Sequence, residues 1–240
     1  MTIHGASKRP NVVCRHRSGI GSAVPLRSGS RYRRDMRSRP GLRSRIAGAV
    51  RFVVYRGKAP RTGEGMWLTM PEHVSALIEG IPRRQSGSVK RGNWDLRTQD
   101  AQSLPKIKAC LDHWLHGTPW ERTGIYDYML ALLPEHGGEV DGCRTFADVV
   151  ARYQRLDAIF VQIAREERLR VQSELFPGAF RELGGILFHI GRDGAPIFGL
   201  GGHHRLAMAI ALNLSVIPVQ VGVVHRDALG SWRHAFHDRP

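Results

Sequence analysis

A short stretch near the C-terminal end of the chain combines residue types suited to phosphate chemistry. Gly201-Gly202 is followed at once by His203-His204-Arg205. Glycines between a strand and a helix leave backbone N–H groups open to an anion, and the positive end of the helix dipole adds to the attraction. A guanidinium fits phosphate oxygens, and an imidazole donates or accepts a proton near neutral pH. The stretch therefore predicts a phosphate-binding site.

The same residues also allow a purely structural interpretation. Gly201-Gly202 would then be a tight turn, the two histidines would be solvated, and Arg205 would pair with a carboxylate. Both interpretations fit the sequence.

The hydrophobic pattern before this stretch predicts a β-hairpin. Ile186–Ile190 is an apolar run, and Ile197–Leu200 resumes it after the turn residues Arg192-Asp193-Gly194. Glycine tolerates the positive φ that such a turn needs. The predicted hairpin therefore ends directly before Gly201.

The pattern after the stretch predicts a helix and then a buried strand. Residues 203–214 carry an apolar face at helical spacing, and residues 216–224 are β-branched at nearly every position. Pro218 indicates that this strand lies at an edge of the sheet or that pairing begins there. The glycine pair is thus predicted to lie where a strand turns into a helix.

This region resembles the ParB/sulfiredoxin superfamily, whose members carry a Gly-x-His/Arg-Arg type motif at the start of a helix and then an Ile-Pro-Val strand. The matching residues are Gly201, Gly202, His204, Arg205, Ala209, Leu214, Ile217, Pro218 and Val219. The resemblance covers residues 186–224. It implies an α+β fold with a small mixed sheet, and a nucleotide such as ATP or CTP, or another phosphate, held at Gly201–Arg205.

Two departures from the superfamily pattern limit which activities are implied. Sulfiredoxins have Phe-Gly-Gly-Cys-His-Arg, and His203 occupies the position of their catalytic cysteine, so sulfinic acid reductase activity is not expected. Partition-type ParB proteins have Gly-Glu-Arg-Arg and a second motif of Glu-Asn-x-Gln-Arg type, which this sequence lacks. The superfamily also contains kinases, NTP hydrolases and proposed nucleases.

The candidate roles follow from what phosphoryl transfer requires. The N–H groups of Gly202 to His204 would hold phosphates, Arg205 would clamp them, and His204 or His203 would donate or shuttle a proton. Mg²⁺ would bridge the phosphates and needs a carboxylate nearby. The candidates for that carboxylate are Asp95, which is also a candidate base, Asp193 and Asp227.

The positive charge of the chain is concentrated in its N-terminal segment. Residues 1–51 hold 13 Lys and Arg and one acid, Asp35, so they carry +12 of the formal net charge of +15. Their Arg, Ser, Gly and Pro content predicts a disordered tail over residues 1–50, a targeting peptide, or a start codon placed downstream at Met36 or Met66. A basic arm of this kind binds nucleic acid without sequence preference.

Length and cysteine content indicate a single folded domain over residues 51–240 in a reducing, cytoplasmic compartment. Cys14, Cys110 and Cys143 are odd in number and widely spaced, so they predict neither a zinc site nor a disulfide framework. No run of about 18 apolar residues predicts a membrane span. The 12 histidines show no HxxxH or HExxH spacing, so they predict no metal site.

The middle of the chain is predicted to be a helical insertion between Leu104 and Leu169. Its predicted helices cover residues 104–115, residues 118–133 after a capping box at Thr118, and residues 145–169 after a second box at Thr145. Upstream, short strands are predicted at residues 52–55 and 66–69, and Pro71 is predicted to open a helix.

Three functions fit this sequence. The first is a Mg-dependent nucleotide hydrolase or phosphotransferase with its site at Gly201–Arg205. The second is a ParB-like nucleic-acid-binding module or nuclease that uses the basic arm. The third is a structural domain whose site has lost its function, in which case Arg205→Ala would change no ligand interaction.

Overall fold

The computed structural model describes residues 42–237, and these form a mixed α+β fold. Seven strands lie in this part of the chain: β1 (Gly65–Thr69), β2 (Ser75–Leu77), β3 (Val89–Lys90), β4 (Thr98–Asp100), β5 (Ile186–Ile190), β6 (Pro196–Phe198) and β7 (Val216–His225). It also contains six α-helices: α1 (Leu42–Val54), α2 (Pro105–His116), α3 (Ile125–Ala131), α4 (Phe146–Glu166), α5 (Gln172–Leu175) and α6 (His203–Ala211). Of the tail predicted over residues 1–50, residues 1–41 lie outside the described residues.

The strands form one mixed sheet in the order β1-β7-β5-β6-β2-β4, with β3 also beside β7. The β5–β6 hairpin is antiparallel, as its turn residues predict, and β7 runs parallel to β5. The crossover from β6 to β7 contains α6, which packs on β5. The glycine pair therefore lies where the chain leaves the sheet to enter α6.

The ten-residue strand β7 is central, which differs from the edge position that Pro218 indicated. It pairs with β1 over Val216–Gln220 and with β5 from Val219 onwards. Its partner Trp67 exchanges both backbone hydrogen bonds with His237 on the other side, so Pro218 needs no N–H toward β1. Proline is tolerated because β5 pairing starts one residue later.

The helical insertion forms a layer in which α4 packs on α3 and α6, and α2 packs on α6. The start of α4 is fixed by the predicted capping box, because Thr145 Oγ1 accepts from Asp148 N and Asp148 accepts from Thr145 N. Asp157 of α4 accepts hydrogen bonds from the indole N–H groups of Trp114 and Trp120, each at 3.0 Å. These contacts join α4 to α2 and to the loop after it.

Three local predictions were wrong. The branched run at residues 52–55 ends helix α1 instead of forming a strand, and Pro71 precedes strand β2 instead of opening a helix. The capping box at Thr118 does not form, because the chain makes a single 3₁₀ turn and restarts as α3 after Gly124, whose φ is +76°. At Thr118 a glycine in the left-handed region outweighs the local signal, and in the other two cases tertiary context overrides a weak local preference.

Helix α1 begins at Leu42, inside the segment predicted to be disordered. Ile46, Val50, Val53 and Val54 lie at helical spacing and are all more than half exposed. None of the helices in residues 42–237 is long and apolar enough to cross a membrane.

Candidate functional site

The turn into α6 has the geometry that its glycines predict. Gly202 has φ +87°, and a Cβ there would lie 2.9 Å from the Cα of Ile186 in β5. The first helical hydrogen bond is donated by Leu206 N to Gly202 O at 3.0 Å. In the described chain, the N–H groups of His203 and His204 donate to no backbone carbonyl and to no capping side chain. They remain open to an acceptor at the helix N-terminus.

This turn borders a cavity of about 520 Å³, which all five residues Gly201 to Arg205 line. Five cationic side chains and two carboxylates also line it: Arg83, Lys106, Arg152, Arg170, Arg205, Asp141 and Glu166. We call the end formed by Gly201–Arg205, Arg83, Lys106 and Arg152 the glycine-turn site. Its surplus of positive charge favours an anion.

Arg83 lies flat against Gly201. Its Nη1 donates to Gln220 Oε1 at 2.8 Å in β7, and its Nη2 donates to Gly185 O at 2.9 Å. A Cβ on Gly201 would collide with the Arg83 guanidinium, so only glycine leaves room for it. The structure thus brings Arg83, from the segment between β2 and β3, to the glycine turn.

Lys106 and Arg152 converge on Asp141 at the same end of the cavity. Lys106 Nζ is 2.7 Å from Asp141 Oδ2, and Arg152 Nη1 donates to the backbone carbonyl of Asp141 at 2.8 Å. Burial opposes the ionisation of Asp141, but the charges of Lys106 and Arg152 outweigh it and hold the pKa of this carboxyl below its usual value. Asp141 is therefore a carboxylate that orients two cations.

His204 is fixed between Tyr153 and Arg152. Its Nε2 is 3.2 Å from Tyr153 Oη, and its Nδ1 is 3.4 Å from Arg152 Nη2. A guanidinium only donates, so Nδ1 is the acceptor and the ring proton is on Nε2, which donates to Tyr153 Oη. Burial, together with the charge of Arg152, lowers the pKa of His204. His204 is thus a neutral ring with both nitrogens occupied.

His203 has a different environment, although it is adjacent in sequence. Its ring stands edge-on to Phe198 with centroids 5.2 Å apart, and its side chain makes no hydrogen bond to the described residues. Burial, and next the charge of Lys106, lower the pKa of His203 to about 4. At neutral pH it offers the cavity an uncharged imidazole. Of the two histidines, His203 is the better placed for proton transfer.

Arg205 lines the cavity but is engaged by protein groups. Its Nη2 donates to Arg170 O at 2.5 Å, and its Nη1 is 3.7 Å from the buried Glu182 Oε1. The side chain thus pairs with a carboxylate, as the structural interpretation of Arg205 expected. Arg83, Lys106 and Arg152 line the same cavity as Arg205.

The other end of the cavity is apolar. Its walls are mostly aliphatic side chains of α4 and of the segment after it, with one aromatic ring: Leu156, Ile159, Ile163, Leu169, Leu175 and Phe176. Glu166 and Arg170 lie in the same part of the chain and also line the cavity, where they form an ion pair with each other. Gln172 lies among them in the chain and is 1% exposed, and its Oε1 has no hydrogen-bond partner within residues 42–237. The cavity is therefore cationic at one end and apolar with one unmet acceptor at the other.

Asp95, the predicted base or metal ligand, lies away from this cavity. Arg192 donates to Asp95 through its backbone N, Nε and Nη2 at 2.8–2.9 Å, and these bonds lower the pKa of Asp95 to about 2. We call Asp95, Arg192, Trp94, His189 and His225 the hairpin cluster. No local sequence pattern indicates that Asp95 forms an ion pair with an arginine 97 residues away.

The other two candidate carboxylates are not at the glycine-turn site either. Asp193 Oδ1 accepts from Ala195 N at 2.9 Å within the hairpin turn, and Asp227 Oδ2 is 3.5 Å from His225 Nδ1. Within residues 42–237 no group of three or more His, Cys, Asp or Glu is arranged to hold a metal ion. The expectation that one of these three aspartates serves the phosphate site therefore lacks geometric support.

Sequence reasoning missed Lys106, Asp141 and Arg152. They come from α2, from the loop after α3 and from α4, and only the packing of these helices on α6 brings them to the turn. A partial signal existed, because Lys106 lies in the first turn of a helix that begins with Pro105. A cation at a helix N-terminus interacts unfavourably with the helix dipole, so its presence there indicates an anionic partner outside the helix.

No family model matches the chain, and searches of curated proteins and of solved structures give no significant match.

Proposed function

We propose that this protein binds a nucleotide in the cavity, with its phosphates at the glycine-turn site, as a ParB/sulfiredoxin-like protein would. One observation carries the proposal. The open N–H groups of His203 and His204 face the same cavity as Arg83, Lys106 and Arg152. Backbone donors at a helix N-terminus and converging cations together form the usual environment of a bound phosphate.

The division of the cavity into two ends supports a nucleotide over a free phosphate. Phosphate alone would occupy only the cationic end and would leave the aliphatic walls formed by Leu156, Ile159 and Ile163 uncovered. A ligand with an anionic end and a flat, largely apolar end covers both. A nucleoside phosphate has this form and is of a size that a cavity of about 520 Å³ accommodates.

We propose phosphoryl transfer or hydrolysis as the reaction, with His203 as the group that accepts a proton from the attacking hydroxyl or water. His203 is neutral and lines the cavity beside the open N–H groups. His204 would keep the turn in place through Tyr153 and Arg152. Of the two histidines that the sequence offers as proton shuttle, we therefore propose His203 and not His204.

Mg²⁺ fits this site only as an ion carried by the phosphates. The carboxylate nearest to the turn is Asp141, and Lys106 and Arg152 already neutralise it. Mg²⁺ commonly keeps several waters and binds through substrate phosphates with one or two carboxylates. We therefore propose that Lys106, Arg83 and Arg152 supply most of the positive charge, and we assign no step to the metal.

Thermal unfolding of the full chain tests the proposal. ATP, CTP, GTP, UTP and inorganic tripolyphosphate are added with and without Mg²⁺. A ligand at about a hundred times its Kd stabilises the fold by roughly 2.7 kcal/mol. Lys106→Gln should remove most of this stabilisation, and Lys108→Gln, an exposed neighbour on the same helix, should retain it. Absence of stabilisation by every compound contradicts the proposal.

We also propose that the basic N-terminal arm binds nucleic acid, which leaves a nuclease or a nucleic-acid-binding module as the second candidate function. The observation that favours it is the +12 charge of residues 1–51. Binding of single- and double-stranded DNA and RNA should weaken steeply with salt and should be lost on removal of residues 1–41. Unchanged binding after that deletion excludes the arm as the binding element.

A further inference from the structure

The side chain of Gln172 is buried at the apolar end of the cavity with an unmet hydrogen-bond acceptor. Its exposed fraction is 1%, and its Oε1 has no partner in the described residues. Its own backbone groups are used, because its N–H donates to Glu182 Oε2 at 3.0 Å and its carbonyl accepts from Phe176 N at 2.9 Å. The backbone of Gln172 is thus held in place, while its side-chain oxygen lacks a donor in this part of the chain. Such an atom is costly in an apolar environment.

The second glutamine that lines the cavity is the natural comparison. Gln162 of α4 is exposed, and its Nε2 donates to Glu166 Oε1 at 2.9 Å. Gln162 is therefore satisfied by its own helix and needs nothing from a ligand. Gln172 is the glutamine of this cavity whose hydrogen bonding a ligand would complete.

The surroundings of Gln172 restrict the chemistry of the ligand group. Leu169, Leu175 and Phe176 lie near it in sequence and line the same cavity, so the group is flat or narrow and mostly apolar. An aliphatic chain would pack against these walls but would leave Gln172 Oε1 without a hydrogen-bond donor. A heteroaromatic ring with an exocyclic amine satisfies both, because its faces pack on apolar walls and its edge donates.

We propose that Gln172 selects an amino-bearing nucleobase by accepting a hydrogen bond from its exocyclic amine. This inference rests on the proposed function, because the phosphates at the glycine-turn site determine which end of the ligand reaches Gln172. Cytosine, adenine and guanine carry such an amine, and uracil and hypoxanthine carry only carbonyl oxygens. A carbonyl opposite Gln172 Oε1 would place two acceptors together and leave both unmet.

Two pairs of nucleotides in which this amine is exchanged for a carbonyl, and the adjoining ring nitrogen gains a proton, test the proposal by calorimetry on the full chain. We expect CTP to bind about tenfold more tightly than UTP, or ATP about tenfold more tightly than ITP, according to which ring size fits. In Gln172→Met, which keeps the volume and removes the acceptor, that difference should vanish while affinity for tripolyphosphate is unchanged. Gln162→Met serves as the matched control and should keep the difference.

The outcomes separate this inference from the proposed function. Equal binding of both members of each pair, unaffected by Gln172→Met, overturns the role of Gln172 and leaves the phosphate site standing. Preference for UTP or ITP overturns it as well. Failure of every nucleotide and of tripolyphosphate to bind overturns the proposed function and this inference with it. Circular dichroism melts of both variants establish that each is folded at the temperature used.

Discussion

The glycine-turn site and the hairpin cluster contain similar residues, yet they use their charges differently. Each has arginine, histidine and aspartate beside a turn that glycines shape. In the hairpin cluster, Arg192 donates three hydrogen bonds to Asp95, and the two opposite charges are paired with each other. At the glycine-turn site, Lys106 and Arg152 share Asp141, and the positive charge exceeds the negative.

The comparison teaches that residue type alone does not identify a binding site. An ion pair of equal and opposite charges has little left to offer a ligand, whereas several cations around one carboxylate attract further negative charge. The difference also extends to the histidines. His189 accepts from Val223 N at 2.8 Å inside the sheet, and His203 has its ring at the cavity. We therefore expect the two regions to respond differently to ligand and alike to acid.

The largest expected effect is the response of both regions to acid. Burial lowers the pKa of His203 and of His189 to about 4, from 6.5. Between pH 6.5 and about 4 the unfolded chain binds protons that the folded chain does not, so the free energy of unfolding falls as pH falls, by on the order of 3 kcal/mol for each of the two histidines. Denaturant melts over this range measure it, and either His203→Gln or His189→Gln should reduce the slope.

Tripolyphosphate should separate the two histidines. Phosphate beside His203 favours its protonated form, so NMR titration should show its pKa raised by about one unit or more on binding, with that of His189 unchanged. Equal shifts at both rings, or none at His203, would contradict the placement of phosphate at the glycine turn.

The next largest effect is expected from Asp95→Asn, which breaks the ion pair of the hairpin cluster. The loss of a buried carboxylate that accepts three hydrogen bonds should lower the free energy of unfolding by about 2 kcal/mol. The pKa of Asp95 is lowered to about 2 from 3.8. Its contribution is therefore complete above pH 3.8 and is lost as pH falls toward 2, a loss that the variant should not show. Nucleotide affinity should stay unchanged.

A matched pair of glycine substitutions then tests the two turns directly. Gly201→Ala should weaken nucleotide binding about tenfold, because the new methyl group displaces the Arg83 guanidinium. Gly194→Ala, in the hairpin turn, meets no atom within 4 Å but has φ +85°. It should cost about 1 kcal/mol of stability and leave binding unchanged. Calorimetry and denaturant melts on both variants measure the two effects.

The smallest expected effect is that of salt on the two regions. Raising the salt concentration from about 0.05 M to 0.5 M should lower nucleotide affinity several-fold, because the cations of the glycine-turn site attract phosphate through a partly solvated cavity. The melting temperature of the free protein should change by less, since the pair of Asp95 and Arg192 is in direct contact. A salt-independent affinity would contradict an electrostatic phosphate site.

The part of the fold that could be predicted is the part whose signals are local. The hairpin from Ile186, the helix from His203 and the strand from Val216 follow from periodicity and turn residues within about 40 positions. The capping box at Thr145 also formed. The box at Thr118 did not, because Gly124 interrupts the helix, and residues 52–55 proved to be the end of a helix. Short branched runs fit strand and helix equally.

Of the candidate site, only the backbone turn at the glycine pair could be predicted from the sequence. The glycine pair indicated where the helix begins, but its cations come from residues about 50 to 120 positions upstream, and no sequence period links them. Arg83 reaches Gly201 only because Gln220 and Gly185 hold its guanidinium. Asp95 was selected for its type and proved to be paired with Arg192. Long-range pairing of charges is set by packing, which a single sequence does not contain.

Two tryptophans that contact helix α4, Trp114 and Trp120, should report on the cavity through their fluorescence. Leu156 lines the apolar end, and the next residue, Asp157, accepts hydrogen bonds from the indoles of Trp114 and Trp120. A ligand that displaces this turn of α4 alters the field of a carboxylate at two indole nitrogens at once. Occupancy of the cavity should therefore be readable as a change in intrinsic tryptophan emission, without a label attached to protein or ligand.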